Sequence, residues 1–277
     1  YKCLLFVLCV LMQMQSPRLY AQEQEGELLM GVAPFMSPEA LFRRMTPLRN
    51  YLGEKLEREV VIELNKNVDQ LLDRTAAGRY DMVYTGPTFA MKAFASGLYS
   101  PGVIPGHLSY SVILVRAESP ARLLADLKNK RIATPPAQGA TARIGPKFFR
   151  EKGFLHTEMP QFKSYASHNA AFLAMQNGDV DAAMIASFAY HDVNGAGKSI
   201  RQVAKTDLYP GISLILSNRL SHEVRERIIA TMVGMGDTEE GRGVLKKINF
   251  KPFRRISLQE YTQARRYLTN NPLSVAE

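Results

Sequence analysis

Two stretches of this 277-residue chain repeat one phrase a hundred residues apart. The first runs from Leu71-Leu72 to Gly78-Arg79-Tyr80-Asp81-Met82-Val83-Tyr84, the second from Ala171-Phe172 to Gly178-Asp179-Val180-Asp181-Ala182-Ala183-Met184. In each, an apolar helical pattern ends at a glycine, and an aspartate three residues later opens an apolar strand. The glycine reads as a left-handed cap, where the absence of Cβ removes the steric penalty. One copy is an ordinary helix–strand connection. Two copies predict two α/β lobes built to one plan, with something held between them.

The rest of the chain fits that plan. An apolar run at 28–33 reads as a buried strand ended by Pro34, and Ser37-Pro38-Glu39 supplies an N-cap, a first-turn proline and a first-turn acid for a helix to about 56. Pro47 predicts a kink in that helix. Strands at 60–64 and 80–84 alternate with a helix at 68–77, and Thr85-Gly86-Pro87-Thr88 starts another helix. Alternating helices and short strands indicate a mostly parallel α/β sheet. After a β-rich run at 109–116, Ser119-Pro120 reads as a helix start, and the rhythm then resumes. Strands are predicted at 131–134, 162–165 and 181–186, with helices at 141–152 and 168–177. Further strands at 200–204 and 212–216 precede two closing helices, 221–235 and 257–268.

Pro and Gly cluster at Pro101-Gly102, Pro105-Gly106 and Pro210-Gly211, which reads as one lobe inserted into the other. The expected division is 27–112 and 206–277 for the first lobe and 113–205 for the second, joined by a two-strand hinge.

The segment 1–21 reads as a secretory signal peptide: Lys2 precedes an apolar run from Cys3 to Met12, and Leu19-Tyr20-Ala21 ends in a small residue. Leu8 before Cys9 argues against a lipoprotein site, and the run is short for a bilayer span. Without this segment the chain has no cysteine, hence no disulfide or thiolate chemistry. The segment carries Lys2 and Arg18 and no acid, so its removal lowers the net charge from +9 to +7. The basic residues are scattered, with Arg43-Arg44, Arg254-Arg255 and Arg265-Arg266 as short surface pairs, and no basic tract with interleaved aromatics points to nucleic acid.

Enzyme motifs are incomplete. The histidines 107, 156, 168, 191 and 222 form no His-x-x-x-His pair, and Glu226 stands where a zinc-protease helix starting at His222-Glu223 needs its second histidine. Gly197-Lys198-Ser199 lacks the phosphate-loop glycine six residues before the lysine, where Asp192 stands, and no Gly-x-Ser-x-Gly elbow is present. The reading is a non-enzyme without cofactor or metal.

Several phrases in consistent order carry a resemblance. Gly78-x-x-Asp81 followed by Gly86-Pro87, then Tyr110-x-Val112-Ile113, Asp126-Leu127-Lys128-x-Lys130, and Ser167-His168-x-x-Ala171 leading to Gly178-x-Val180-Asp181-Ala182 resemble the phosphate/phosphite/phosphonate-type periplasmic binding proteins of ABC importers. The resemblance covers nearly all of the chain after residue 21. It implies the two-lobed type II binding-protein fold, each lobe a mostly parallel sheet flanked by helices. It also implies capture of a small oxyanion in the interlobe cleft and presentation to a membrane permease by a monomer. A sensor partner docking on a receptor kinase would use the same fold, and a periplasmic enzyme is the remaining alternative.

Oxyanions suit hydroxyls and the free N–H groups at helix N-termini, where the dipole favours negative charge. The expected ligand-binding residues are therefore Tyr84, Thr85, Thr88, Tyr110, Gln138, Gly139, Thr141, His168 and Ser187. Asp81 and Asp181 read as structural, and Met82, Met91, Met175 and Met184 as core. Where phosphonate binders of this family carry a Ser-Thr-Ser-Gly-like cluster, this chain has Pro135-Pro136-Ala137-Gln138-Gly139-Ala140-Thr141, leaving Thr141 as the hydroxyl there. No carboxylate follows Ile185 until Asp192, and 209–213 holds none, which argues against an aminoalkyl ligand.

Overall fold

The computed structural model describes residues 26–106, 108–194 and 199–262. The signal-peptide reading at 1–21, His107 and 195–198 lie outside them, as does the end of the last expected helix, which is helical over 258–262. The chain begins β1 (Leu28–Val32), α1 (Pro38–Leu56), β2 (Val60–Leu64), α2 (Val68–Ala76), β3 (Met82–Thr85), α3 (Pro87–Ala95) and β4 (Tyr99–Pro105). It then crosses to β5 (Ser111–Arg116), β6 (Arg131–Thr134), α4 (Ala140–Glu151), β7 (Gln161–Ser164), α5 (His168–Gln176), β8 (Ala182–Ala186), α6 (Ser187–Asn194) and β9 (Ile200–Lys205). It returns through β10 (Ser213–Ser217), α7 (His222–Val233), α8 (Glu239–Ile248) and β11 (Phe253–Arg255).

Two separate sheets result, ordered β11-β4-β10-β3-β1-β2 and β7-β6-β8-β5-β9. Their cores follow the same plan. In the first, β1 pairs in parallel with β2 and β3, and β10 runs antiparallel to β3. In the second, β6 pairs in parallel with β7 and β8, and β5 runs antiparallel to β8. In each lobe the strand the chain enters directly after crossing runs against the parallel core, and in the first lobe β11, antiparallel to β4, is reversed as well. Leu28, Met30, Met45 and Leu48 are fully buried in the first lobe, and Ile132, Phe149 and Met184 in the second.

The repeated phrase is scaffold in both lobes. Gly78 and Gly178 take φ of 68° and 86°, the left-handed caps read from the sequence. Asn67 and Ser167 cap the N-termini of the helices that these glycines end, accepting the amide protons of Gln70 and Ala170. The Asp81 carboxylate accepts the Leu29 amide at 2.8 Å, and the Asp181 carboxylate accepts the Arg131 amide at 2.8 Å. Each aspartate ties the start of its own strand to the neighbouring one. Burial pushes the Asp181 carboxyl up, but the Arg131 amide and guanidinium outweigh it and hold it below its ordinary value.

Three readings change. No helix forms at Ser119-Pro120; the segment has only a short 3₁₀ turn, Leu124–Leu127. Arg201 holds it by donating to the carbonyls of Ala117, Ser119 and Ala121 at 2.9, 2.6 and 3.0 Å, which an α-helix would need for itself. The Pro101-Gly102 cluster lies inside strand β4, where the register with β10 shifts. A Cβ on Gly102 would sit 2.7 Å from the Leu214 carbonyl oxygen, so the glycine permits close strand approach there. α1 contains Pro47 and ends at Leu56, the extent expected. Helices α6 and α8 and strand β11 are additional elements.

Two crossing segments join the sheets. Ser109 and Tyr209 meet there in an isolated antiparallel bridge, each amide donating to the other's carbonyl at 2.8 Å.

Candidate functional site

A cavity of about 70 Å³ lies at this crossing, between the two lobes. One buried water needs roughly 10–15 Å³ on such a measure, so the space suits one small tetrahedral anion with a short substituent. The first residues of four helices line it: Val68 of α2, Pro87 of α3, Ala140 of α4 and His168 of α5. Two come from each lobe, and Val68 and His168 occupy equivalent places in the repeat.

The first amides of a helix have no intrahelical acceptor. At α3 and α4 the N-caps are Gly86 and Gly139, which offer no side-chain acceptor either. Those amides and the helix dipoles make the cavity electropositive, although none of its described lining residues is charged.

Hydroxyls supplement the amides. Thr88 lines the cavity, is 5 % exposed, and its Oγ1 has no hydrogen-bond partner. Such an orphaned buried hydroxyl costs free energy unless a ligand completes it. Thr141 Oγ1 accepts from Ser111 Oγ at 3.2 Å, and the Tyr209 hydroxyl lies 2.7 Å from Ser111 Oγ and 3.3 Å from Thr141 Oγ1. Burial raises the Tyr209 phenol, only partly offset by Ser111, Thr141 and Ser109, so it stays protonated as a donor.

His168 contributes in the neutral state. Its Nδ1 accepts the Ala186 amide proton at 3.2 Å, which leaves the proton of the neutral ring on Nε2. Burial drives its pKa down to about 3. Phe188 packs edge-on against the ring at 4.9 Å and fixes its plane.

The expected residues separate clearly. Thr88, Gly139, Thr141 and His168 share the cavity lining. Ser187 lies behind it, its Oγ 3.1 Å from that of Ser109, which does line it. Gln138 reaches across the cleft and donates to Asp69 at 3.2 Å. Thr85 is buried with an unpartnered Oγ1 but is not among the lining residues. Tyr110 packs on the second-lobe core with the Lys205 ammonium 5.9 Å over its ring. Tyr84 is fully buried between Phe35 and Phe250, also outside the lining.

The Tyr84 hydroxyl has no partner, and burial holds its pKa well above the ordinary value despite the Arg44 charge. Tyr84→Phe should therefore leave oxyanion affinity unchanged and raise stability by about 1 kcal/mol, because an unsatisfied buried hydroxyl is removed. Calorimetric titration and thermal melts check this; weakened binding would place the hydroxyl in the site.

Residues missed from the sequence are Ser109, Ser111, Tyr209, Phe35 and Phe188. The first three sit on the crossing segments, and a two-lobed chain must expose those segments to its cleft, which was the available signal. Arg44, read as a solvated surface charge, instead pairs with Asp192 of the other lobe.

A model of the family described as ABC transporter, phosphonate, periplasmic substrate-binding protein matches residues 30–261. This chain belongs to that family. The phosphonates-binding periplasmic protein of Escherichia coli (strain K12) is 24 % identical over 256 residues, covering 86 % of this chain and 75 % of that protein. A binding-protein component of an ABC phosphonate transporter from Pseudomonas aeruginosa superposes with a TM-score of 0.75 at 15 % identity, over 87 % of this chain and 85 % of that one. A Prochlorococcus marinus protein solved in complex with methylphosphonate gives a TM-score of 0.78 at 15 % identity, over 88 % and 97 % of the two chains. Membership accounts for the fold: two α/β lobes on a two-strand hinge, the type II binding-protein architecture.

Proposed function

We propose that this chain binds a small phosphonate-like oxyanion between its lobes outside the cytoplasm and delivers it to an ABC permease. The observation that carries the reading is the convergence of four helix N-termini on a cavity with an orphaned threonine hydroxyl and a neutral imidazole donor. An anion that touches both lobes gives the closed state a differential affinity that the open state lacks. The moving units are the two sheets with their helices. Strand β5 starts at Ser111, so this reading moves the first crossing from 112 to about 110. Residues 1–21 serve as the export signal, and the protein acts as a monomer that binds without catalysis.

The lining also bears on the ligand's substituent. Phe35, Phe89, Phe188 and Ile212 give an apolar wall, and no carboxylate lines the cavity among the described residues. A buried ammonium group there would stand unpaired, which is strongly unfavourable. The methylphosphonate complex of the Prochlorococcus marinus relative supports a short alkyl group.

Calorimetry with methylphosphonate, ethylphosphonate, phosphite, phosphate, methanesulfonate and 2-aminoethylphosphonate tests this. Alkylphosphonates should bind at least about thirtyfold tighter than the aminoethyl compound. Thr141→Ala should weaken them about tenfold, the worth of one hydrogen bond to a charged group. Tight binding of a sugar or a cation, with no response to any oxyanion, overturns the reading.

A further inference from the structure

We propose that Arg44 and Asp192 are positioning residues that clamp the lobes closed and thereby set ligand affinity without touching the ligand. The proposal rests on the reading of the interlobe cavity as the ligand site.

Arg44 lies on α1, against the first sheet, and Asp192 on α6, directly after β8 of the second. Their side chains are only 13 % and 21 % exposed, and Nη2 of Arg44 is 2.5 Å from Oδ1 of Asp192. The two residues are 148 positions apart, and among the described residues the chain itself passes between their lobes at the crossing segments. Any hinge opening must therefore pull this pair apart.

The pair acts next to the cavity. On the same helix as Asp192, Phe188 meets Phe35 of the first lobe edge-on at 5.3 Å and also packs on His168. Phe35 and Phe188 both line the cavity. Holding α6 against α1 thus closes an aromatic wall over the site and presses the imidazole donor into place. Neither charged residue lines the cavity, so the effect on the ligand runs through lobe position alone. Asp192 Oδ2 is buried without a partner, so the arginine is what compensates this carboxylate in the closed form. Removing one partner of such a pair leaves an uncompensated charge in the closed state, whereas water solvates it in the open state. The equilibrium then shifts open, and apparent affinity falls with the closed fraction.

Titration with methylphosphonate, small-angle scattering and melting of ligand-free protein test the clamp. Arg44→Met and Asp192→Asn should each weaken binding by about tenfold or more. Each should also raise the methylphosphonate concentration needed for compaction in scattering, while ligand-free melting stays nearly unchanged. The double variant Arg44→Met/Asp192→Leu replaces the ion pair with apolar contact and should recover affinity to within about threefold of wild type. Single variants that bind within twofold of wild type overturn the proposal, and so does a double variant no better than the singles. If wild-type protein binds no oxyanion at all, the reading of the cavity falls and the clamp that rests on it falls with it, whereas oxyanion binding that is indifferent to both single variants overturns the clamp alone.

Discussion

Gly86→Asp should make this protein more stable and, at the same time, unable to bind an anion. Gly86 is the N-cap of α3, with φ −76° and ψ 162°, a conformation aspartate adopts freely. A Cβ built there meets nothing nearer than the Phe89 ring at 4.0 Å. Pro87 at the first helical position has no N–H, so the new carboxylate would accept the Thr88 amide that follows it and sit at the positive end of the helix dipole. A few tenths of a kcal/mol from the cap and about 0.3–1 kcal/mol from the dipole should raise the melting temperature by about 1–4 °C. On the proposed reading, this same helix start holds the anion. An anion brought within about 4 Å of the carboxylate at an effective dielectric constant of 20 meets a repulsion of about 4 kcal/mol, close to a thousandfold in affinity. Gly86→Ser separates the two effects, since it caps the helix without charge. Thermal melts and calorimetry with methylphosphonate measure both quantities. Retained binding in Gly86→Asp would mean that the anion does not dock on α3.

Acid should destabilise the protein through His168. The unfolded imidazole titrates near 6.5, and burial lowers it to about 3 in the folded state. Between those values the unfolded chain holds the extra proton, so stability rises with pH across that window and is lost as pH falls through it. The slope approaches 1.4 kcal/mol per pH unit, and going from pH 7 to pH 5 costs about 2 kcal/mol through this one group. The carboxylates held low in the fold add to the loss at lower pH, so the histidine is isolated by comparison with His168→Gln. Glutamine can still accept the Ala186 amide and donate toward the cavity, but it does not titrate. Urea unfolding at pH 7 and pH 5 should show a smaller difference in the variant by about 2 kcal/mol. Equal differences would mean that His168 is solvated in the native protein. Because the ring stays neutral above pH 5, it should add no pH dependence to ligand binding between pH 5 and 8.

The repeat was legible because every interaction behind it is local or set by a simple rule. A glycine leaving a helix needs a left-handed conformation, and Gly78 and Gly178 both have it. An acid opening a strand finds the amides of the adjacent strand, as Asp81 and Asp181 do. Three of the four helix starts at the cleft were legible too, because Gly86, Gly139 and Ser167 before an apolar helix mark an N-terminus wherever the helix packs; the fourth, capped by Asn67, was not.

The facing of individual side chains was not legible. Tyr84 and Thr88 are four residues apart around one strand-to-helix turn and looked equally suited to a ligand, yet only Thr88 lines the cavity. Thr141 meets Ser111 and Tyr209 across 30 and 68 positions, through strands in one lobe and a crossing segment between lobes. Arg44 next to Arg43 looked like one solvated pair; a helical turn of about 100° between neighbours sends Arg43 to Glu39 on the surface and Arg44 to the other lobe.

Local propensity and apolar period, acting over a few residues, were enough to specify two similar α/β units and their caps. The angle at which the hinge brings those units together selected the hydroxyls, the imidazole and the ion pair that meet. Such contacts join residues from 30 to 148 positions apart, and no spacing within a single element encodes them.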